Sequence, residues 1–362
     1  AEQLLWKFDE VLQRPGTAVQ LGLLEDLDRL PPADWSPFDF RRFRLPREFW
    51  RFPTAYVEQS RGCALACSYC PATVLEGGVR FRDPRAVVEE IRDASRRWGF
   101  RSFKFRDPTF GLNRAQVFQL ADHLGRLDRR IQFSIETRSD LMRPEVLRVL
   151  KRVGLSCVTV GVETPDLRLL QRHGRAAVEP ECHRDLVALC RSLGIRTTAT
   201  FMIGFPGETE AQFRNTLRVV ERVRFDGAFM FAYSVRPGTR AAEMPDQVPR
   251  EVKVARLNEV IALQNSITLQ INQAHVGSEV EVLVEGRSER DRTRLAGYTR
   301  TFKMVHLPAP AGKDAERLVG RLVKVRVLSG ALTGYHGELV IQDTPREGVR
   351  ASVHGVGERV AS

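Results

Sequence analysis

Between Ser60 and Thr73 the chain reads SRGCALACSYCPAT, which sets three cysteines, Cys63, Cys67 and Cys70, close together and offers no further cysteine until Cys157. A structural zinc closes a tetrahedron with four ligands, usually drawn from two spaced pairs. This stretch has neither a fourth ligand nor an adjacent histidine. A disulfide would leave one thiol over. A cubane iron-sulfur cluster takes four thiolates, so three from one short loop would leave one iron without a protein ligand and open to chemistry. The same spacing also fits three small side chains on one face of a helix.

The spacing C-x-x-x-C-x-x-C directly after the apolar run TAYVEQSRGC resembles the signature of the radical S-adenosylmethionine (SAM) enzymes. That resemblance implies a 4Fe-4S cluster on Cys63, Cys67 and Cys70 whose open iron chelates the amino and carboxylate groups of SAM. It further implies reductive cleavage of SAM to a 5′-deoxyadenosyl radical, driven by a low-potential donor such as flavodoxin or ferredoxin. Iron-sulfur potentials extend down to about −700 mV, as reduction of a sulfonium requires. By the same resemblance Tyr69 lies beside the adenine through its backbone, and Asp107, Glu136, Arg138 and Glu163 supply contacts to the amino, ribose and carboxylate groups of SAM.

Outward from the cysteines, six short apolar runs alternate with amphipathic helical stretches: Ala55 to Gln59, Ser102 to Arg106, Gln132 to Glu136, Cys157 to Val162, Thr197 to Ile203 and Ala228 to Tyr233. Such alternation marks βαβ units and a parallel sheet. Six strands suit an α/β fold built as an open, partial (βα)6 barrel rather than a closed eight-fold one. Chemistry in such folds collects at the carboxyl ends of strands. Here those ends carry Arg61, Asp107, Glu136, Arg138, Glu163 and the loop GFPGET from Gly204. That loop also reads as a tight turn, with Thr209 and Gln212 at capping-box spacing for the helix that follows. Cys157, Cys182 and Cys190 stand in apolar surroundings and read as buried fillers.

A chain of 362 residues exceeds the usual single-domain size. Residues 1–50 show no clean period and read as a linker-like segment before the 51–249 partial barrel. Residues 250–273 read as a connecting amphipathic helix with Val254, Leu257, Ile261, Gln264, Ile267 and Ile271 near a 3.6 period. Residues 274–342 alternate like a small antiparallel barrel, and the polar stretch 343–362 reads as disordered. A net charge of +11 favours a polyanionic partner, although an arginine-rich composition alone would also produce it. No apolar run approaches the roughly 18 residues that span a bilayer, and the opening is charged, so no membrane partner and a reducing cytoplasm are expected.

From about Thr200 to Ile341 the chain closely resembles the tRNA methylthiotransferases, through GFPGETEAQF, FDGAFMFAYSVRPGTRAAEMPDQVP, LQNSITLQIN, VEVLVEG and GYTRTFKMVHLPA. Its terminal part is similar to a TRAM domain, a small OB-like β-barrel taken to bind RNA. Eleven Lys or Arg stand against eight Asp or Glu between Gly277 and Gln342. Tyr298, Phe302, His306 and Tyr335 offer stacking faces beside those cations, as single-stranded RNA readers use. The first half instead resembles the cobalamin-dependent radical SAM methylases, through EQSRGCALACSYCPA, VRFRDP and the linker-like LLEDLDRLPPADW. The second half implies a methylthio group placed on an adenosine in tRNA. Methyl transfer through cobalamin is the alternative, and an RNA-binding module with a structural iron-sulfur cluster is the alternative of another class. Neither a second 4Fe-4S cluster nor cobalamin finds its motif in these residues, so either is expected on a domain absent from this chain.

Overall fold

The structure, a computed structural model, describes residues 22–45, 48–310 and 314–340. The tail expected at 343–362 and the opening of the 1–50 segment lie outside the described residues. Two compact units divide at Gln264 and Asn265.

In the first unit, strand β1 (Thr54–Val57) leads into a small hairpin of β2 (Ser60–Arg61) and β3 (Arg80–Phe81), with helix α1 (Ala72–Glu76) between them. The strands β4 (Ser102–Phe105), β5 (Gln132–Thr137), β6 (Leu155–Glu163), β7 (Arg196–Ile203) and β8 (Ala228–Ala232) follow. Between them lie α2 (Pro84–Arg97), α3 (Arg114–Gly125), α4 (Pro144–Arg152), α5 (Leu167–Arg172), α6 (Pro180–Ser192) and α7 (Glu210–Val223). The sheet runs β1-β4-β5-β6-β7-β8 with every pair parallel. It is the open six-stranded arrangement that the alternation predicts. Asp83, Asn113, Asp166 and Thr209 accept backbone N–H groups at the starts of α2, α3, α5 and α7. Thr209 and Gln212 form the expected capping box.

Parallel sheets are normally buried on both faces and read as continuous apolar runs. This one alternates. One face carries Ala55, Val57, Phe103, Phe105, Phe133, Ile135, Val158 and Val160, which pack against Val87, Ile91, Leu120, Leu147 and Leu150 of the helices. The registers put Tyr56, Lys104 and Ser134, then Glu136, Thr159 and Thr198, on the other face. A polar inner face is not needed for packing, and it leaves that surface free for chemistry.

The described part of the N-terminal segment is packed rather than loose. Leu24, Leu27 and Phe49 are buried, and Trp35 and Phe40 meet Phe100 edge-on or tilted at 5.0 and 5.2 Å. Helix α8 (Arg250–Gln273) corrects the sequence reading of its face. Arg256, Val260, Gln264 and Ile267 are buried, whereas Val254 and Ile261, placed on the apolar stripe by their period, are exposed. Buried polar residues with fixed partners set this face, as Gln264 Nε2 donating to the Phe225 carbonyl illustrates.

In the second unit β9 (Glu279–Arg287), β10 (Arg294–Thr299), β11 (Met304–Pro308), helix α9 (Asp314–Leu318), β12 (Leu322–Ala331) and β13 (Gly334–Leu339) form a closed barrel of order β10-β11-β13-β12-β9. Val282, Val284, Leu295, Val305, Val325 and Val327 fill it, together with Tyr335. Tyr335 therefore does not present a stacking face. His336, the next residue, is exposed in its place.

Candidate functional site

The cysteine loop is fastened at both ends. Before it, Asp107, just past β4, turns both carboxylate oxygens to the chain leaving β1: one accepts from Gln59 N (3.1 Å), the other from Ser60 Oγ (2.6 Å). Burial lifts its pKa to about 6 despite these bonds. Gly62 then adopts φ +75°, and a Cβ there would stand 2.3 Å from the Gly78 carbonyl oxygen, so only glycine fits this turn. Its N–H donates to Glu76 Oε2 at 2.6 Å.

At the other end Ser68 stands 2.6 Å from His173 Nδ1, and His173 Nε2 lies 2.9 Å from the Pro206 carbonyl oxygen. A carbonyl only accepts, so Nε2 carries the proton and Nδ1 accepts from the Ser68 hydroxyl. The imidazole is neutral, consistent with burial holding its pKa down. Ser68 N donates to the His173 carbonyl (2.8 Å), Ala241 N to the Ser68 carbonyl (2.9 Å), and Arg240 to the Ala66 carbonyl (2.7 Å).

Within these fastenings Cys63 and Cys67 are buried, Cys70 is half-buried, and all three thiols are free. Leu65 N points at Cys63 Sγ from 3.4 Å. Burial pushes the Cys70 thiol up, and charge on Cys67 and Cys63 adds to this, so the three sulfurs stand close enough to feel one another. Among the described residues no three His, Cys, Asp or Glu side chains gather around the position of a single ion. A cubane binds each thiolate to a different iron, so three free thiols on one loop are of the type and number that would hold three of its four irons.

The residues expected to touch SAM have different immediate partners. Tyr69 is buried with its ring edge-on to Phe205 at 5.0 Å, and its hydroxyl accepts from Arg175 at 3.3 Å. Glu163, at the end of β6, has φ +67°, a conformation that costs a non-glycine residue about 1–3 kcal/mol. It lies 3.9 Å from Arg175, and burial raises its pKa. Arg138 is buried and grips Asp140 with two bonds (2.9 and 2.8 Å) and the Ala176 carbonyl with a third. Its Nη1 has no partner among the described residues. Glu136 is on the inner face of the sheet, paired with Lys104 (3.0 Å) and Arg106 (3.6 Å). Asp107 belongs to the loop fastening through Gln59 and Ser60.

Sequence reasoning missed several residues that organise this site. Arg175 links Tyr69 and Glu163 and also interacts with Cys67. His173 joins the cysteine loop to GFPGET. Both fall in RHGR, where the left-handed Gly174 stops α5, so a polar run just past a helix end was the available signal. Lys104 is held between Glu48 (2.8 Å) and Glu136. Burial would lower its pKa, but these carboxylates outweigh that and raise it. A lysine inside an apolar parallel strand was its signal. Of the other cysteines, Cys157 and Cys190 are fully buried, with thiols pushed up to about 12 by burial. Cys182 is only half-buried and sits beside Ser139, which corrects its reading as a filler.

Residues 57–220 match the radical SAM superfamily and residues 273–340 the TRAM domain. The chain is 37% identical over 309 residues to the tRNA-2-methylthio-N(6)-dimethylallyladenosine synthase of Moorella thermoacetica, covering 82% of this chain and 68% of that protein. The protein of the same name from Carboxydothermus hydrogenoformans is 35% identical over 298 residues, covering 79% of this chain and 66% of that protein. In the Bacillus thuringiensis relative, 33% identical, the covered share of that protein is 57%. This chain thus spans between 57% and 68% of the length of these relatives. Among solved structures, the radical S-adenosylmethionine methyltransferase TsrM from Kitasatospora setae, with cobalamin and a 4Fe-4S cluster bound, aligns at 22% identity and a TM-score of 0.49. That alignment covers 52% of this chain and 36% of that one. Similarity of this extent to the synthases decides the family: the chain belongs to the radical SAM superfamily as an enzyme related to the tRNA-2-methylthio-N(6)-dimethylallyladenosine synthases, and carries a TRAM domain.

Proposed function

We propose that this chain cleaves SAM at a 4Fe-4S cluster held by Cys63, Cys67 and Cys70 and uses the resulting radical to methylthiolate an adenosine in tRNA. The observation that carries this reading is the doubly fastened loop of three free thiols beside a polar, unpacked sheet face. When bound, the cluster supplies the electron that breaks the sulfonium bond of SAM and releases a 5′-deoxyadenosyl radical. Asp107 and His173 keep the loop in one shape. The guanidinium of Arg175 offsets thiolate charge near Cys67 and orients Glu163. Glu163, Glu136, the unpartnered Nη1 of Arg138 and the backbone at Tyr69 are the proposed SAM contacts, while Asp107 acts by positioning.

Sulfur insertion also needs a sulfur source. Cys157 and Cys190 are too buried to serve, and the half-buried Cys182 is a single thiol where a cluster takes several, so a second 4Fe-4S cluster on a segment outside this chain is the proposed source. Cobalamin on such a segment would redirect the chemistry to methylation. On the barrel, Arg294, Tyr298, Phe302, His306 and His336 are the proposed RNA face. Tyr298 stacks on Phe302 and His306 on His336, at 5.2 and 5.6 Å, and Arg294 lies 3.2 Å from His336 Nδ1. A flavodoxin or ferredoxin would supply the electron, in a reducing cytoplasm.

Anaerobic reconstitution with iron and sulfide, then dithionite and SAM, is expected to release 5′-deoxyadenosine and methionine, and each Cys→Ala change to abolish this. SAM cleavage retained by Cys67→Ala would overturn the cluster assignment. Mass spectrometry of nucleosides from treated tRNA separates the reactions: a methylthio increment supports the proposal, and a methyl increment assigns the cobalamin reaction instead.

A further inference from the structure

We infer that Phe229 and Phe231, a stacked aromatic pair on the inner face of β8, form the seat for an apolar substituent on N6 of the target adenosine. The inference rests on the tRNA reading above. Phe229 pairs in register with Thr200, and Phe231 with Met202. The alternate residues of β7, Phe201 and Ile203, are fully buried on the opposite side, so Thr200, Met202 and both phenylalanines share one face. Met202 packs against the layer that contains Cys67 and Tyr69. The pair therefore lies one strand from the cysteine loop, on its side of the sheet. The two rings stand 6.3 Å apart with planes 26° from parallel, and the residues are 44% and 52% exposed.

An exposed aromatic pair on an edge strand is a pairing liability, and packing gives it no purpose here. A ligand does. From β4 to β8 the inner-face side chains grade from charged (Lys104, Glu136) through hydroxyl-bearing (Thr159, Thr198, Thr200) to aromatic. An adenosine bearing a dimethylallyl group has the same grading, with a hydrogen-bonding purine edge and an apolar branched tail. A polar or anionic N6 substituent would gain nothing from the rings and would lose its hydration against them.

The test measures equilibrium binding of two anticodon stem-loop RNAs to the full chain by fluorescence anisotropy. One RNA carries N6-dimethylallyladenosine, and the other carries plain adenosine at the same position. The unsubstituted protein is expected to prefer the dimethylallyl RNA by about tenfold or more, as burial of a short hydrocarbon tail supports. Phe229→Ser with Phe231→Ser should reduce that preference to about twofold or less while leaving affinity for the plain RNA unchanged, and Phe→Leu at both sites should restore most of it. SAM cleavage without RNA should be the same in all variants. Equal binding of the two RNAs by the unsubstituted chain, or a preference that survives the serine changes, would overturn the seat and leave the tRNA reading standing. Binding of neither RNA would overturn both. A self-association that the serine changes abolish would assign the pair to a second copy of the chain and overturn the seat.

Discussion

Asp107 gives its two oxygens to Gln59 and Ser60, and its ionisation follows from that confinement. The folded chain keeps the proton up to a pH of about 6, whereas the unfolded chain releases it near 3.8. The native state thus holds the extra proton between these values, so this group's contribution to stability falls as pH rises from about 4 to 6 and is level above. The shift corresponds to about 3 kcal/mol. Thermal melts of the native chain and Asp107→Asn across this range should therefore show the native chain losing ground to the variant up to pH of about 6 and no further. Gly62→Ala forces a side chain into the Gly78 carbonyl at positive φ. It is expected to cost about 1–3 kcal/mol and to lower the iron bound per chain after reconstitution. These two residues mark the limit of what was legible at this scale. The cysteines announce themselves by spacing, but an acid at a strand end does not reveal which way its carboxylate turns. Asp107, Glu136 and Glu163 look alike in the sequence and occupy three different surroundings.

The strands of the first unit were legible because alternation has a period that no helix shares, and the capping box at Thr209 because two named side chains suffice to make it. The buried face of α8 was not. Its anchor is Arg256, which donates to Glu208 at 2.9 Å, and the Glu208 side chain is fully buried. An apolar period cannot register an ion pair. Arg256→Met leaves the Glu208 carboxylate buried with the Gly204 N–H as its remaining partner. A loss of about 3–5 kcal/mol is expected in urea unfolding, much of it recovered when Glu208→Gln is added. If the single change proves neutral, the pair is not what holds α8.

The chain as a whole is strongly basic, with a formal net charge of +11, so the tRNA affinity proposed for it is expected to fall steeply with salt. Loss of one phosphate contact reduces the slope of log affinity against log salt by about 0.7, the value for single strands. Arg294→Ala should show a reduction of that size in a salt titration while SAM cleavage is unchanged; an unaltered slope would remove Arg294 from the RNA face. The barrel's aromatic strip was only partly legible, because Tyr335 and His336 are adjacent in sequence and alternation alone does not say which of them faces inward. The fastening of the cysteine loop bears on the order in which the protein is made. Ser68 and Ala66 are held by Ala241 and Arg240, and Ser68 also by His173. A ribosome will have delivered all three cysteines long before it delivers these partners, and domains generally fold as units once their sequence has emerged. The nascent loop passes through a period in which its thiols are present and its shape is not. Iron delivered in that period would meet an unformed cradle, so cluster loading belongs after translation of Ala241. Chains halted before Arg240 should fail to take up iron, and chains released after β8 and the turn that follows it should load.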